Sequence, residues 1–287
     1  MAGGGPVPPG IDITRPNVAR VYDAFLDGKD NFAADRAVVE SALQIAPDSA
    51  GGAKSNRAFL RRVVSYLAAE AGITQFLDIG SGLPSAGNVH EVARDARPGA
   101  RAAYPGVRVV YVDNDPVVGV HGRALLADAE TARFITADAR RPEEVLDHPG
   151  VRTFIDFSRP VGLLMLAILH HITDAEDPAA IAARFRDALA PGSYLAVSSV
   201  RMPGPEHPQD AEKARAVQEL FSETLGTGLW REDSEILAWF GDWELLEPGL
   251  VPLPEWRPGT TAPATRDSTY HGFVGGVAWK RQHPASP

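Results

Sequence analysis

Three short apolar runs in this chain each close on an aspartate: Phe76-Leu77-Asp78-Ile79-Gly80-Ser81-Gly82, Val109-Val110-Tyr111-Val112-Asp113-Asn114-Asp115 and Phe134-Ile135-Thr136-Ala137-Asp138-Ala139. Runs of this kind read as strands, predicted over 75–79, 107–112 and 133–137. The helical stretches between them, 89–97 and 116–130, give the strand–helix–strand rhythm of a parallel sheet. That rhythm puts all three acids on one edge of the sheet, the carboxyl edge where doubly wound α/β proteins bind ligands. Residues 161–168, apolar throughout, read as a central strand covered on both faces, and 192–200 as a fifth strand.

The rest of the chain is arranged around this sheet. Residues 1–16 are rich in Gly and Pro with almost nothing to bury, and read as a disordered tail. Residues 17–72 show helical periodicity, with Val18, Val21, Tyr22 and Phe25 on one stripe and Phe59, Val63, Tyr66 and Leu67 on another. They form a helical cap, and the sheet domain follows over 73–287. Helices are expected at 178–189, 209–225 and 232–240. Strands at 243–246 and 272–280 would make a closing hairpin, and no internal repeat is visible. The Pro-rich stretch 248–267 has no periodicity, so it is either a wandering surface segment or a substrate-side loop.

Charge and composition remove several functions. With Lys+Arg 28 against Asp+Glu 37 the net charge is -9, which leaves nucleic acid an unlikely partner. Cys 0 excludes disulfides, thiolate metal sites, iron–sulfur clusters and a cysteine nucleophile. No apolar run approaches the ~20 residues that span a bilayer, and residues 1–6 lack the basic and apolar regions of a signal peptide. A cytoplasmic protein without membrane contact is expected.

At the first turn, Gly80 and Gly82 let the backbone approach a ligand closely, while Asp78 beside them would repel a phosphate. Ser85 stands where a dinucleotide fingerprint has its third glycine, so a cationic, phosphate-free ligand suits the loop better than a nicotinamide dinucleotide. Asp113 is placed to accept hydrogen bonds from both hydroxyls of a ribose. Metal binding by Asp113, Asn114 and Asp115 is the alternative, disfavoured because three successive residues do not readily converge on one cation; a helix cap is the simpler reading of Asp115. Asp138 could accept from an exocyclic amine. His170 and His171 follow the central strand; each is either a base for an acceptor or a packed core residue. Arg57, Arg61 and Arg62 form a basic cluster on one helix that could read an acidic substrate, although a solvated face is favoured; Trp239, Trp243 and Trp256 read as core or lid aromatics. His90, His121 and His148 show no zinc spacing, so no metal is expected.

These motifs, with Ile168-Leu169-His170-His171-Ile172-Thr173-Asp174 and Leu189-Ala190-Pro191-Gly192-Ser193, resemble class I S-adenosylmethionine-dependent methyltransferases. The segments Asn17-Val18-Ala19-Arg20-Val21-Tyr22-Asp23 and Gly28-Lys29-Asp30-Asn31-Phe32 narrow the resemblance to an actinobacterial, DUF574-like family of undefined substrate. It covers most of the chain from Asn17 onward. The resemblance implies an α/β fold with a doubly wound, mostly parallel seven-stranded sheet whose last strand runs antiparallel. It implies S-adenosyl-L-methionine as cofactor, with Asp78, Gly80, Ser81 and Gly82 at its amino-acid end, Asp113 and Asn114 at the ribose, and Asp138 with Ala139 at the adenine. The helical cap would act as a lid, with Tyr22, Lys29 and Asn31 as its polar candidates to reach the ligand; the alternative, favoured for Lys29, is that Tyr22 packs in the N-terminal helix and Lys29 is solvated. A small-molecule methyl acceptor, at oxygen or nitrogen, is the implied partner. A non-catalytic S-adenosylmethionine-binding protein would share these features.

Overall fold

Alternation along the central strands sorts the core into two layers. In the computed structural model, which describes residues 12–84, 87–97, 106–126, 130–258, 266 and 268–281, β1 (Gln75–Ile79) and β4 (Gly162–Leu166) are buried at every position. Leu77, Ile79, Leu163 and Met165 point into one apolar cluster with Phe185, Trp239 and Phe240. Phe76, Leu164 and Leu166 point into another, with Phe59, Val63 and Trp256. A strand covered on both faces needs apolar side chains at odd and even positions alike, which is why these runs lack a polar alternation.

The remaining strands are β2 (Arg108–Asp113), β3 (Ala132–Thr136), β5 (Tyr194–Val200), β6 (Glu244–Leu245), β7 (Val251–Pro252) and β8 (Phe273–Trp279). They form one sheet in the order β3-β2-β1-β4-β5-β8-β6, with β7 also on β8. Pairings among β1 to β5 are parallel, and β8 runs antiparallel to β5, β6 and β7. The strand order reverses between β1 and β4, and the crevice at that switch point is where such sheets take ligands. The closing hairpin is present, but the sheet has eight strands rather than the expected seven. The extra one lies in the Pro-rich stretch, where Val251 and Pro252 pair with Gly275 and Val274; a proline is compatible with such an edge position.

The helices are α1 (Val18–Phe25), α2 (Ala33–Ile45), α3 (Ala50–Ala69), α4 (Val89–Asp95), α5 (Pro116–Leu125), α6 (Pro142–Leu146), α7 (Pro149–Arg152), α8 (Pro178–Asp187), α9 (Pro208–Leu225) and α10 (Asp233–Ala238). The short α6 and α7 were not evident in the sequence because four or five residues show no periodicity. Trp239, Trp243 and Trp256 are all core residues.

The expected disordered tail is revised at its last residues. Residues 1–11 lie outside the described residues, but 12–16 are tied to α1: Arg20 donates to the carbonyl oxygens of Asp12 at 3.2 Å and Arg15 at 2.5 Å. The cap has an apolar cluster of its own. Val21 and Phe25 pack with Val38, Val39, Ala42 and Ala53, and Arg20 makes a 3.1 Å ion pair with Asp35 at 3% and 0% exposure.

Candidate functional site

The carboxyl ends of β1, β2 and β3 are laced together by backbone hydrogen bonds, and this sets the floor of the site. Gly80 and Ser81 donate to the Val112 carbonyl at 2.8 and 3.1 Å, and Ala137 donates to the Asp113 carbonyl at 3.1 Å. Gly80 and Gly82 have φ of +69° and +67°, a region that glycine enters without strain. A Cβ on Gly80 would stand 2.7 Å from Ile168, whereas at Gly82 it would meet nothing within 4 Å. The second glycine therefore leaves open space over the loop.

A cavity of about 730 Å³ opens above this floor, large enough for two small molecules side by side. Of the residues the sequence points to, Asp78, Gly80, Ser81, Gly82, Asp113, Asn114, Asp138, Ala139, Tyr22, His170 and His171 all line it. Lys29 and Asn31 do not, which corrects that expectation. Lys29 is exposed, and Asn31 is occupied inside its own loop, donating to Asp23 at 2.9 Å and to the Gly28 carbonyl at 3.0 Å.

The acids differ in what they have left to offer. Asp113 accepts from the Gly82 amide at 2.9 Å and from the Asp115 amide at 2.9 Å, so it anchors the glycine loop as well as facing the cavity. Burial pushes its pKa up, and these backbone donors oppose the rise. Asp138 is held by Arg140 through a 2.6 Å ion pair, and hydrogen bonds from Arg140 keep its carboxyl below the ordinary range. Asp78 is 5% exposed. Burial raises its pKa to about 7, with Arg57 opposing and Asp113 adding to the rise.

Both histidines are neutral at pH 7. Burial, the neighbouring His171 and Arg231 hold His170 well below the usual imidazole range, and burial brings His171 down to about 4. Their rings lie 4.3 Å apart. Ala167, just before them, has φ +54°, a conformation costly for a residue with a Cβ and typical of functional sites.

Several residues were missed by sequence reasoning. The basic cluster on α3 is not a solvated face: Arg62 donates to the carbonyls of Trp256 at 2.9 Å and Leu253 at 2.6 Å, while Arg57 lines the cavity. Asn56 donates to the Tyr22 hydroxyl at 2.9 Å and accepts from Ser198 at 2.6 Å, tying α1 to β5. Among the described residues, three of the buried side-chain atoms lacking a partner belong to cavity residues: Ser49 Oγ, Arg57 Nη2 and Asp115 Oδ2. Asp115 also caps α5, accepting from Val117 at 2.6 Å. From α1, α9 and the following segments the cavity takes the apolar side chains Val21, Phe25, Val217, Phe221, Trp230 and Phe273, with Asp210 and Lys213 among them.

Comparison with known proteins agrees with this geometry. The profile of the S-adenosyl methyltransferase family matches residues 6–281. A crystal structure of a candidate methyltransferase from Thermobifida fusca YX is 44% identical, with a TM-score of 0.86, over 96% of this chain and 98% of that one. A DUF574 family protein from Streptomyces avermitilis MA-4680 is 33% identical, with a TM-score of 0.83, over 94% of this chain and 100% of that one. No curated protein matches.

Proposed function

The chain belongs to the S-adenosyl methyltransferase family and is a methyltransferase that uses S-adenosylmethionine; from that premise we propose that its acceptor is the oxygen or nitrogen of a small, largely apolar molecule, methylated in the cytoplasm. The observation that supports this reading is one continuous cavity joining the acid-bearing sheet edge to the apolar wall of Val21, Phe25, Val217, Phe221, Trp230 and Phe273.

The cavity residues fit the cofactor. Asp113 suits a ribose hydroxyl, and Arg57, an electrostatic neighbour of Asp78, suits the carboxylate of an amino acid. Asp78 in its ionised form would take the ammonium. When bound, S-adenosylmethionine supplies a methyl group already activated on a sulfonium, so alignment provides much of the acceleration. His170 and His171, kept neutral by burial, would accept a hydrogen bond from the O–H or N–H of the acceptor and orient its lone pair. With pKa values this low they are weak bases, better suited to orientation than to full proton removal. The aromatic wall excludes water from the reacting groups.

The test is incubation of the purified protein with methyl-labelled S-adenosylmethionine and a fractionated extract of its host. Label in a low-molecular-weight, extractable product, appearing in step with S-adenosylhomocysteine, is the expected result. Label found only in protein or nucleic acid would overturn the small-molecule acceptor.

A further inference from the structure

At the rim of the cavity, away from the acids of the sheet edge, stands a second cluster of ligating side chains. His207 is the residue preceding α9, and Asp210 lies in its first turn. The three-residue spacing puts both on one face of the helix. His271 comes from the turn that leads into β8, far away in sequence. One ligand atom from each of His207, Asp210 and His271 lies within 4.8 Å of the others. Only Asp210 of the three lines the cavity.

We propose that His207, Asp210 and His271 form a binding site for one divalent first-row transition-metal ion of the zinc class, which fastens the start of α9 to the entrance of β8. The site is independent of the acceptor assigned above. Two imidazoles and one carboxylate are the donor set of many three-ligand sites for such ions, which leave a further position for water or a ligand. Bond lengths of about 2.0–2.2 Å put neighbouring donors on one ion about 3–3.5 Å apart. Ligation therefore asks these side chains to close by an ångström or two.

The arrangement of the rings sets what ligation requires. His207 and His271 stack face to face, centroids 3.6 Å apart and planes 13° from parallel. A metal ion takes the lone pair that lies in the plane of each ring, so one ring must rotate out of the stack for both to ligate one ion. Arg201, an electrostatic neighbour of His271, is paired with Asp233 at 3.1 Å. Glu206 lies 3.9 Å from His207 and adds negative charge beside the cluster. Such a site was not readable from the chain because two of its ligands share a helix turn and the third arrives from the last strand.

Cobalt(II) is the probe, titrated into the full-length, chelator-treated protein while its visible d–d absorption is followed; zinc binding is then measured by competition. One equivalent of cobalt bound at micromolar concentration is expected. His207→Ala and His271→Gln should each weaken binding at least about tenfold, whereas His148→Ala, which alters a histidine engaged with the Gly150 amide, should leave it unchanged. Circular dichroism and S-adenosylmethionine affinity report whether the variants are folded; if His271→Gln fails to fold, the exposed-side His207→Ala decides alone. Absence of stoichiometric cobalt binding below millimolar concentration, or binding that His207→Ala leaves intact, would overturn the site.

Discussion

The two halves of the cavity are built by different means. The sheet edge is assembled from loops that follow β1, β2 and β3, each tied to its neighbour by backbone hydrogen bonds such as Gly80 to Val112 and Ala137 to Asp113. The opposite wall is assembled from side chains of α1, α3, α9, the turns at 226–230 and 268–272 and the first residue of β8, brought together mainly by side-chain packing. The first half is held by ladder geometry that any chain with this topology must satisfy. The second is held by packing, and packing tolerates replacement of one apolar residue by another of similar size. Recognition of the shared cofactor and of a particular acceptor are thus divided between a rigid half and an adaptable one.

The largest test of this division lies in the cap. Removing one partner of a buried ion pair leaves the other uncompensated and costs about 3–5 kcal/mol. Asp35→Ala strands Arg20, which is 3% exposed, and also strips the Asn17 and Phe32 amides of their acceptor. The variant should lose stability of that order in urea denaturation, and amide exchange over 17–32 should rise. In the wild-type protein that segment should be protected without any cofactor, because α1 is already docked on α2 and α3. If exchange there is fast in the wild type and falls only when S-adenosylmethionine is added, the cap is a closing lid and the comparison is redrawn.

The next test is on the sheet side. Asp113→Ala removes an acceptor from any ribose and from two backbone amides, Gly82 and Asp115. A hydrogen bond to a charged group contributes about 1.5–3 kcal/mol, so S-adenosylmethionine affinity should fall by about 10- to 150-fold by calorimetry. Phe221→Ala, on the apolar wall, should leave that affinity within a factor of about two while reducing turnover of the acceptor. Equal losses from both variants would show that the halves are not separable.

A smaller effect, with a definite sign, comes from Asp78. Its carboxyl has an ordinary pKa of 3.8, raised to about 7 in the fold. Between those values the folded protein holds a proton that the unfolded chain has released, so the contribution of this group to stability is present at low pH and lost as pH rises to about 7. Affinity for a cationic ligand runs the other way, because only the ionised form attracts the ammonium. Lowering the pH from 7 to 6 should weaken S-adenosylmethionine binding by up to about tenfold. Asp78→Asn should flatten both profiles, stabilise the ligand-free protein at pH 8, and bind the cofactor poorly at every pH. A pH-independent affinity in the wild type would remove Asp78 from the ammonium role.

What could be read from the sequence follows the same division. The three acid-ended strands, their parallel order and the closing hairpin are local patterns, and the structure has them with boundaries shifted by a residue or two, as at β3 (Ala132–Thr136) against 133–137. Asp78, Asp113 and Asp138 were legible because strand direction alone puts them on one edge. Arg57 was not, since a helix carrying Arg57, Arg61 and Arg62 gives no sign of which one faces a cavity; only the docking of α3 on the sheet decides it. Ser49 and the α9 wall were hidden for the same reason. The register of β7 was invisible because two residues cannot show a period.

The smallest predicted effect concerns the loop 28–32, whose polar residues were expected to reach the ligand. Its hydrogen bonds close upon themselves: Asp23 accepts from the Asp30 amide at 2.9 Å and from Asn31 Nδ2 at 2.9 Å, and Gly28 donates to the Asp23 carbonyl at 2.9 Å. Lys29 points out of this knot into solvent. Lys29→Ala should therefore change stability and S-adenosylmethionine affinity by no more than about 0.5 kcal/mol, the range of ordinary surface substitutions. Gly28→Ala sits next to it and should behave differently, because its Cβ would fall 2.0 Å from the Asp23 carboxylate. That clash displaces the acceptor on which the Asp30 amide and Asn31 both depend, and a lowered denaturation midpoint with unchanged cofactor affinity is the expected result. Should Lys29→Ala instead weaken the cofactor tenfold, the loop reaches the ligand after all, and the cap would share in the rigid half's work of cofactor recognition.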